Sequence, residues 1–367
     1  MNPDELTTTV WEIDEDAYPA DESIEERARF LLRYAILAPS SHNAQPWRFT
    51  IDGPQIQVFA DESRWLEVAD HDRRELHLSL GCAVENLCVA AEHFGFGYRI
   101  QYPESRHRER RNHESQNNDF PNHMSQDHDS EEAGLETSDP VAVVTLQPDG
   151  DHSSDRPPGL FDQLTARYTS HALFDERPLP SHFRERLEQC VFEDDVSVFV
   201  IEDTDLKRSI GELQATADRI QMADPAYRKE LGYWVGIGAL GQSWLVARIA
   251  QAVVTRLDLG DRESQKNSKL IRHAPVIGVL VTETDDRPAR VSAGQAYERI
   301  ALVASADGIA SHPLSQILEI PDKRDELATM LGISDSVPQH CFRLGYPDER
   351  RTHTPRWPLE AVVSTAA

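Results

Sequence analysis

The stretch APSSHNAQPW, at residues 38–47, joins a helical pattern to a strand pattern and carries a dense set of polar side chains. Ser40, Ser41, Asn43 and Gln45 offer hydroxyl and amide groups that both donate and accept hydrogen bonds. The flanking prolines restrict the backbone, and the closing tryptophan can anchor the loop in a core. This composition suits contact with a flat heteroaromatic edge. For the loop alone, a turn that satisfies only its own backbone groups is an equally good explanation.

Regular patterns extend from this loop in both directions. Before it, Ser23 and Glu26 form a capping box that begins a helix, and apolar residues at helical spacing continue to residue 35. After it, polarity alternates around Asp52-Gly53, which predicts a β-hairpin. A second helix is predicted to end at Gly95.

The rest of the chain interleaves helical patterns with short apolar strands. This mixed order predicts the α+β class, with an α/β fold around a central sheet as the alternative. The patterns predict strands near 98–102, 140–146, 196–202, 274–283 and 340–346, and helices over 160–169, 181–190, 205–257 and 293–308.

One internal repeat connects the two halves. GCAVENLCVAAEHFG (81–95) and GQAYERIALVASADG (294–308) align without gaps and share five identical residues, including Gly81 with Gly294 and Glu85 with Glu298. The repeat favours two copies of one fold in tandem, each with a central helix that ends in glycine.

Acidic residues dominate the charge of this 367-residue chain: 63 Asp and Glu against 37 Lys and Arg give a net charge of −26. Such a field repels phosphate backbones and anionic lipids, so we expect no nucleic-acid partner and no membrane partner. Only five of the basic residues are lysines. Surplus carboxylates with scarce lysine favour a halophilic source.

Targeting signals are also missing from the sequence patterns. No run approaches the roughly 18 apolar residues of a membrane-spanning helix, and the N-terminus lacks the basic region and apolar run of a signal peptide. The four cysteines are too few and too scattered for a disulfide framework. We therefore expect a cytoplasmic protein with reduced thiols.

Two segments lack the pattern of a packed domain. Residues 1–20 are acidic and aperiodic, which predicts a loose acidic arm. Residues 104–133 contain no Val, Ile or Leu and cannot offset their ordering entropy, so a disordered insertion is predicted over 104–138. The spacings of its four histidines match no tetrahedral site, and no metal is expected.

Local catalytic motifs give little support to other enzyme classes. GIGALG, at 236–241, matches a dinucleotide fingerprint literally, but a helical pattern precedes it where the fingerprint needs a strand. The sequence contains no GxSxG, HExxH, CxxC or Walker motif, so neither a hydrolase nor a metal-dependent enzyme is indicated. No catalytic acid or base is assigned.

Four segments, in order, resemble the FMN-dependent nitroreductase family. APSSHNAQPWRF is similar to the family's APSxxNxQPW segment, and LTARYTSHALFDERPLP (164–180) resembles its arginine-rich opening. AGQAYERIALVASADGIASHPL (293–314) resembles the long central helix and the loop after it. FRLGYPDERRTHTPRWPLEAVV (342–363) resembles the Gly-Tyr-Pro strand and the basic C-terminal segment.

The distribution of these segments is similar to that of the Acg-like, dormancy-associated subgroup. In the family's homodimers, one subunit supplies the arginine-rich opening and the basic C-terminus, while the other supplies APSxxNxQPW. Here the serine–asparagine loop occurs only in the first half and the other segments only in the second. RRELHLSLGCAV (73–84) and RKELGYWV (228–235) also resemble segments of the subgroup.

The resemblance implies a nitroreductase-like fold in which two tandem lobes mimic the family homodimer and keep one flavin site. The implied first lobe covers 21–150, and the second covers 151–367 with a candidate lid over 205–260.

The resemblance also implies that both halves contribute FMN-binding residues. Arg167 and Thr169 match the phosphate and ribityl positions, and Arg356 matches the C-terminal phosphate position. Tyr168 and His171 stand where the family pattern has basic residues. The implied set is Ser40, Ser41, Asn43, Gln45, Arg167, Thr169, Ser170, His312, Pro313, Leu314 and Arg356.

The implied activity is that of an FMN-binding, NAD(P)H-dependent oxidoreductase. Hydride would pass through the flavin, in ping-pong order, to a nitroaromatic or quinone-type acceptor. The alternative is an FMN storage protein with a lid-covered flavin and little turnover, and a cofactor-free structural relic is the third hypothesis. The expected partner is a small-molecule electron acceptor, and the expected state is a monomer that mimics a dimer, or a homodimer.

Overall fold

The computed structural model describes most of the chain outside one long internal segment. The predicted insertion, 104–138, lies outside the described residues. Those residues are 5–103, 139–148, 150, 155–241, 244–348 and 353–365.

The first half builds a sheet backed by two helices. The Ser23 side chain accepts a hydrogen bond from the backbone N–H of Glu26 and so begins the first helix, as predicted. The predicted hairpin is confirmed, with Asp52 paired to Gln55 across the turn. The elements are α1 (Ile24–Ala35), β1 (Trp47–Asp52), β2 (Gln55–Ala60), α2 (Arg74–His93), β3 (Gly97–Gln101) and β4 (Ala142–Gln147).

The second half builds another sheet and most of the helices. The helix predicted over 160–169 is a single turn, because the chain then turns to place Thr169 beside Ser311 in an isolated bridge. The elements are α3 (Phe161–Leu164), β5 (Phe174–Asp175), α4 (Phe183–Gln189), β6 (Val196–Ile201), α5 (Thr204–Ala223), α6 (Pro225–Gly236), α7 (Trp244–Arg256), α8 (Gly260–Arg272), β7 (Val276–Thr282), α9 (Arg287–Ala306), β8 (Ala310–Pro313), α10 (Gln316–Glu319), α11 (Pro321–Met330), β9 (Val337–Pro347) and β10 (Val363–Thr365).

The structure confirms the α+β class and the two tandem lobes. One sheet has the strand order β10–β1–β2–β4–β3, and the other has the order β5–β9–β7–β6 with β8 beside β9. The C-terminal strand β10 lies parallel to β1, and the Phe49 amide donates to the Val362 carbonyl at 2.8 Å. The chain therefore returns from the second half to complete the first sheet.

The central helices α2 and α9 pack against each other with almost every residue of both buried. Gly81 and Gly294 lie where they cross. A Cβ atom added to Gly81 would lie 2.1 Å from the Val291 carbonyl oxygen, and one added to Gly294 would lie 2.1 Å from the Leu78 carbonyl oxygen. Only glycine permits this approach of the two backbones. The identical glycines of the repeat thus form the contact between the two lobes.

The segment predicted to be a loose arm is instead packed against the C-terminal segment. Trp11 is buried, its indole N–H donates to the Thr354 carbonyl at 3.0 Å, and its ring stacks on His353 at 4.0 Å between centroids. Thr7 pairs with Arg356 in an isolated antiparallel bridge. The composition of residues 1–20 did not predict this packing, because a single buried aromatic ring can hold an otherwise acidic segment in place.

We predict that Gly81→Ala destabilises the protein by at least about 2 kcal/mol, because the added methyl group meets backbone atoms that cannot move aside. The control is Gly211→Ala in α5, where the nearest atom to an added Cβ is the Ser268 hydroxyl at 3.3 Å. That control should be neutral or stabilising, since alanine favours a helix over glycine. Urea unfolding measures both, and equal midpoints for the two variants would contradict the close contact.

Candidate functional site

A cavity of about 380 Å³ lies where the two lobes meet beneath helices α5–α8, a size in the range of small-molecule sites. Its walls come from the loop at 39–43, the start of α2, the segment 312–316, and the C-terminal residues Thr354 and Arg356. Helices α5–α8, here called the cover helices (204–272), contribute another part of the wall. Further lining residues come from other elements of the second lobe: Thr169, His171, Tyr297, Glu319 and His340. The candidate lid over 205–260 forms most of these helices, and its role as a lid stays a prediction.

Eight of the eleven predicted site residues line this cavity. Gln45, Arg167 and Ser170 are buried beside it but do not line it. The eight lining residues are Ser40, Ser41, Asn43, Thr169, His312, Pro313, Leu314 and Arg356.

The polar loop is held in a strained conformation by its own side chains. His42, Asn43 and Gln45 all have positive φ, between 50° and 55°, which is unfavourable for residues with a Cβ atom. The Ser40 hydroxyl accepts a hydrogen bond from the backbone N–H of Gln45 at 2.8 Å. The side-chain carbonyl of Gln45 accepts a hydrogen bond from the backbone N–H of Trp357 at 2.8 Å. Gln45 therefore fastens the loop to the C-terminal segment.

The Asn43 side chain ties three distant segments together. Its amide donates to the Ala239 carbonyl at 2.7 Å and to the Pro355 carbonyl at 2.8 Å. Its oxygen accepts from Arg356 Nη1 at 2.7 Å. Both N–H groups and the oxygen of this amide therefore form hydrogen bonds within the protein. Asn43 thus holds in place the cavity wall to which it belongs and the side chain of Arg356.

Two buried arginines lie near one carboxyl group, and one of them contacts it. Arg167 Nε lies 2.9 Å from Glu298 Oε1, and both Arg167 and Arg356 donate to the Leu37 carbonyl, at 3.0 and 3.1 Å. Burial, with Arg167 as a further cause, lowers the pKa of Arg356 to about 9. Burial raises the pKa of Glu298 to about 7 against the pull of Arg167. The cluster therefore holds more positive than negative charge.

His312 is a neutral imidazole whose tautomer follows from its partners. Arg343 Nε donates to His312 Nδ1 at 3.2 Å, so Nδ1 is the acceptor. His312 Nε2 then carries the proton and donates to His171 Nδ1 at 2.9 Å. Burial, His171 and Arg343 hold the pKa of His312 well below its usual range. His171, which stands where the family pattern has a basic residue, thus supports the segment at 312–314.

Sequence reasoning missed the acidic wall of the cavity. Glu75 is buried and accepts hydrogen bonds from the Ser41 hydroxyl at 2.7 Å and the Ser315 hydroxyl at 3.2 Å. Arg74 Nη1 lies 2.9 Å from its other oxygen. Burial opposes ionisation of Glu75, but Arg74 and the two hydroxyl groups keep its pKa below the usual value. The segment RRELHLSLGCAV contains these two residues, but its sequence does not show that they face a cavity.

Cover helix α6 is attached to the first lobe by a side-chain carboxylate that binds backbone amides, and by apolar packing. The Glu230 carboxylate accepts hydrogen bonds from the amides of Val68 and Ala69 at 3.0 and 2.9 Å. Tyr227 and Trp234 are buried in a small apolar cluster with residues of the first lobe. RKELGYWV, the second segment that resembles the Acg-like subgroup, therefore forms the part of cover helix α6 that contacts the first lobe.

Curated proteins of Mycobacterium tuberculosis are similar to this chain over nearly its full length. One is named "Putative NAD(P)H nitroreductase" and is 27% identical over 348 residues, which cover 92% of this chain and 91% of that protein. "Putative NAD(P)H nitroreductase acg" is 23% identical over 354 residues, which cover 92% of this chain and 95% of that protein. These similarities confirm the predicted resemblance to Acg-like proteins. They leave the predicted halophilic source untested.

A similar solved structure matches just over half of this chain. No family model matches the chain. The FMN- and NADPH-dependent nitroreductase NfnB from a Sphigopyxis strain is a similar solved structure, with 18% identity and a TM-score of 0.41. The matched region covers 57% of this chain and 99% of that one. Among the described residues, no helix has the length and apolar character needed to cross a membrane.

We predict that Asn43→Ala destabilises the protein by about 2–3 kcal/mol, because several buried groups lose hydrogen bonds together. Hydrogen exchange at residues 237–241 and 354–357 should accelerate, since the amide of Asn43 joins these segments. The control is Thr50→Ala, which removes only an exposed 3.2 Å contact with Ser364. Equal exchange rates in the two variants would contradict the positioning role of Asn43.

Proposed function

We propose that this chain binds FMN in the cavity between its lobes and is an NAD(P)H-dependent oxidoreductase. The observation that carries the proposal is the excess positive charge of the buried Arg167–Glu298–Arg356 cluster, whose Arg356 lines the cavity. A buried cation without full compensation is costly unless an anion neutralises it. The names of the curated relatives, putative NAD(P)H nitroreductases, agree with this function.

The donor set fits a phosphate group. Arg356 is buried, and its Nε atom has no hydrogen-bond partner among the described residues. Both terminal nitrogens of Arg356 already donate to Asn43, Thr354 and backbone carbonyls, so Nε–H is the donor left for a charge-assisted hydrogen bond to a phosphate oxygen. Arg356 would hold the phosphate, with Thr169 as a hydroxyl donor on the same wall, and Arg167 would add its charge from behind. In a chain of net charge −26, such fixed groups are needed to hold an anion.

The other walls fit a flat ring system. Ser40, Ser41, His312, Pro313 and Leu314 all line the cavity, so polar and apolar contacts are both available. When bound, FMN supplies the hydride chemistry, accepting a hydride from NAD(P)H and passing it to a nitroaromatic or quinone-type acceptor. The protein residues bind, orient and exclude water.

The second candidate function is FMN storage with little turnover. It is favoured by the contacts that fasten the cover helices above the cavity, the Asn43–Ala239 and Glu230–Ala69 hydrogen bonds. If these contacts persist when FMN is bound, NAD(P)H and an acceptor cannot reach the ring.

An anaerobic reduction experiment separates the two functions. The purified protein, loaded with FMN, should show a flavin spectrum that bleaches within seconds of NADPH or NADH addition and returns when 2-methyl-1,4-naphthoquinone is added. A bound flavin that stays yellow with both donors would favour storage, and a protein that binds no FMN would contradict both functions.

We predict that Arg356→Ala weakens FMN binding by about 1.5–3 kcal/mol, the scale of a charge-assisted hydrogen bond. Titration of the apoprotein with FMN, followed by quenching of flavin fluorescence, gives the dissociation constant. Arg29→Ala is the control, because Arg29 also contacts the C-terminal segment, through a half-exposed 3.4 Å ion pair with Glu360. Equal dissociation constants for the two variants would remove Arg356 from the phosphate site.

A further inference from the structure

We infer that Glu319 is the proton donor to the electron acceptor in this cavity, and that His340 holds the acceptor's oxygen beside it. The inference rests on the proposed function and assigns a catalytic group that the sequence did not. Its acceptor class is a neutral molecule with a reducible oxygen-bearing group, such as a quinone or a nitroaromatic.

Glu319 is placed at the cavity wall by the second lobe and held by a cover helix. It is the last residue of α10, is 8% exposed, and lines the cavity. Gln221 of α5 donates from Nε2 to Glu319 Oε2 at 2.5 Å. Gln221 also lines the cavity. This hydrogen bond fixes one oxygen of Glu319 and leaves the other available for a proton.

The surroundings of Glu319 keep its carboxyl group protonated at neutral pH. Burial, followed by the negative charge of Glu75, raises the pKa of Glu319 to about 8. When two carboxyl groups lie close together, ionisation of one disfavours ionisation of the other, so the pair divides the roles of acid and anion near neutral pH, as catalytic carboxyl pairs do. Here Arg74 stabilises the Glu75 anion, so Glu319 retains the proton. The titratable groups that face this pair are Asp70 just before α2, Arg74 at its start, Tyr227 on α6 and His340 on β9.

His340 supplies independent evidence that this wall meets a ligand. Its side chain is 1% exposed and lines the cavity, yet neither ring nitrogen has a hydrogen-bond partner among the described residues. An unpaired buried polar group is costly, so a partner from a bound molecule would stabilise it. Burial lowers the pKa of His340 to about 4, which leaves a neutral ring with one N–H donor. A neutral donor suits a carbonyl or nitro oxygen.

The proton step balances with the proposed function. Reduction of a quinone to a hydroquinone takes up one hydride and one proton. FMN held in the cavity would supply the hydride from NAD(P)H, and Glu319 would supply the proton: its O–H bond breaks as an O–H bond forms on the acceptor. The Glu319 carboxylate then recovers a proton from water. The fixed negative charge of Glu75 disfavours acceptors that carry a carboxylate.

The test compares Glu319→Gln with Glu326→Gln in FMN-loaded protein. Glu326 is an exposed glutamate of α11 paired with Lys323, and its substitution should change nothing. Glu319→Gln should keep FMN binding and bleaching by NADPH. It should slow reoxidation by 2-methyl-1,4-naphthoquinone by about 100-fold or more, the usual contribution of a general acid. Unchanged reoxidation with normal bleaching would overturn this inference alone, and failure of the wild-type protein to bind or bleach would overturn the proposed function with it.

A pH profile and an infrared titration give results that would not depend on Glu319 if its role were only structural. In the wild type, reoxidation should be constant below pH 8 and fall above it, since Glu319 loses its proton there. Glu319→Gln should lose this limb, and Gln221→Leu, which removes a hydrogen bond that lowers the pKa, should move it to higher pH. In flavin-free protein, the infrared absorption of buried protonated carboxyls should still fall between pH 8 and pH 9, above the range in which Glu298 and Asp70 ionise. If no such absorption remains at pH 8, the inference is overturned even if Glu319→Gln fails to fold.

Discussion

The contact between Gly81 and Gly294 is the constraint on which the rest of the structure depends. Because α2 and α9 cross with their backbones touching, the two lobes share one core and cannot separate without exposing it. The crossing also fixes where the start of α2 stands relative to the loop after α9. Glu75 and Ser79 from the first lobe and Tyr297 and His312 from the second therefore line one cavity. The C-terminal strand adds backbone hydrogen bonds to this union when it returns to the first sheet.

The internal repeat allows the two sides of the crossing to be compared, and they differ in how their buried glutamates are paired. Glu298 is paired with one arginine that touches it, and Arg356 beside it faces a cavity. Its repeat partner Glu85 is bound by both Arg156 and Arg299, at 2.6 and 2.9 Å, and its pKa falls to about 2 because these two charges outweigh burial. The hollow on that side is lined by Ser292 and Gln295, which align with two residues of the first cavity, Ser79 and Cys82. Arg156 and Arg299 also pair with Glu92 and Glu193, at 2.7 and 2.9 Å, so the arginine charge on that side is neutralised within the protein and only one side calls for an anion.

Much of the architecture could be predicted because local patterns determine it. The capping box at Ser23, the alternation around Asp52-Gly53 and the repeated glycines each specify a local geometry, and the structure has them. The cover helices, by contrast, contribute Tyr227 and Gln221 to the cavity through tertiary packing that no spacing reveals. Gln45 resembled a ligand-binding amide because the sequence shows its chemistry and not its partners. The structure commits it to the backbone of Trp357.

The central claim is that both lobes together make one cofactor site, with the phosphate at Arg356. The most direct measurement is the number of FMN molecules that the full chain binds, obtained by calorimetric titration of flavin-free protein and checked against the flavin absorbance of the purified complex. The account predicts one FMN for each chain, bound more weakly when Arg356 is replaced by alanine. Two FMN molecules for each chain, or one whose affinity does not depend on Arg356, would contradict it.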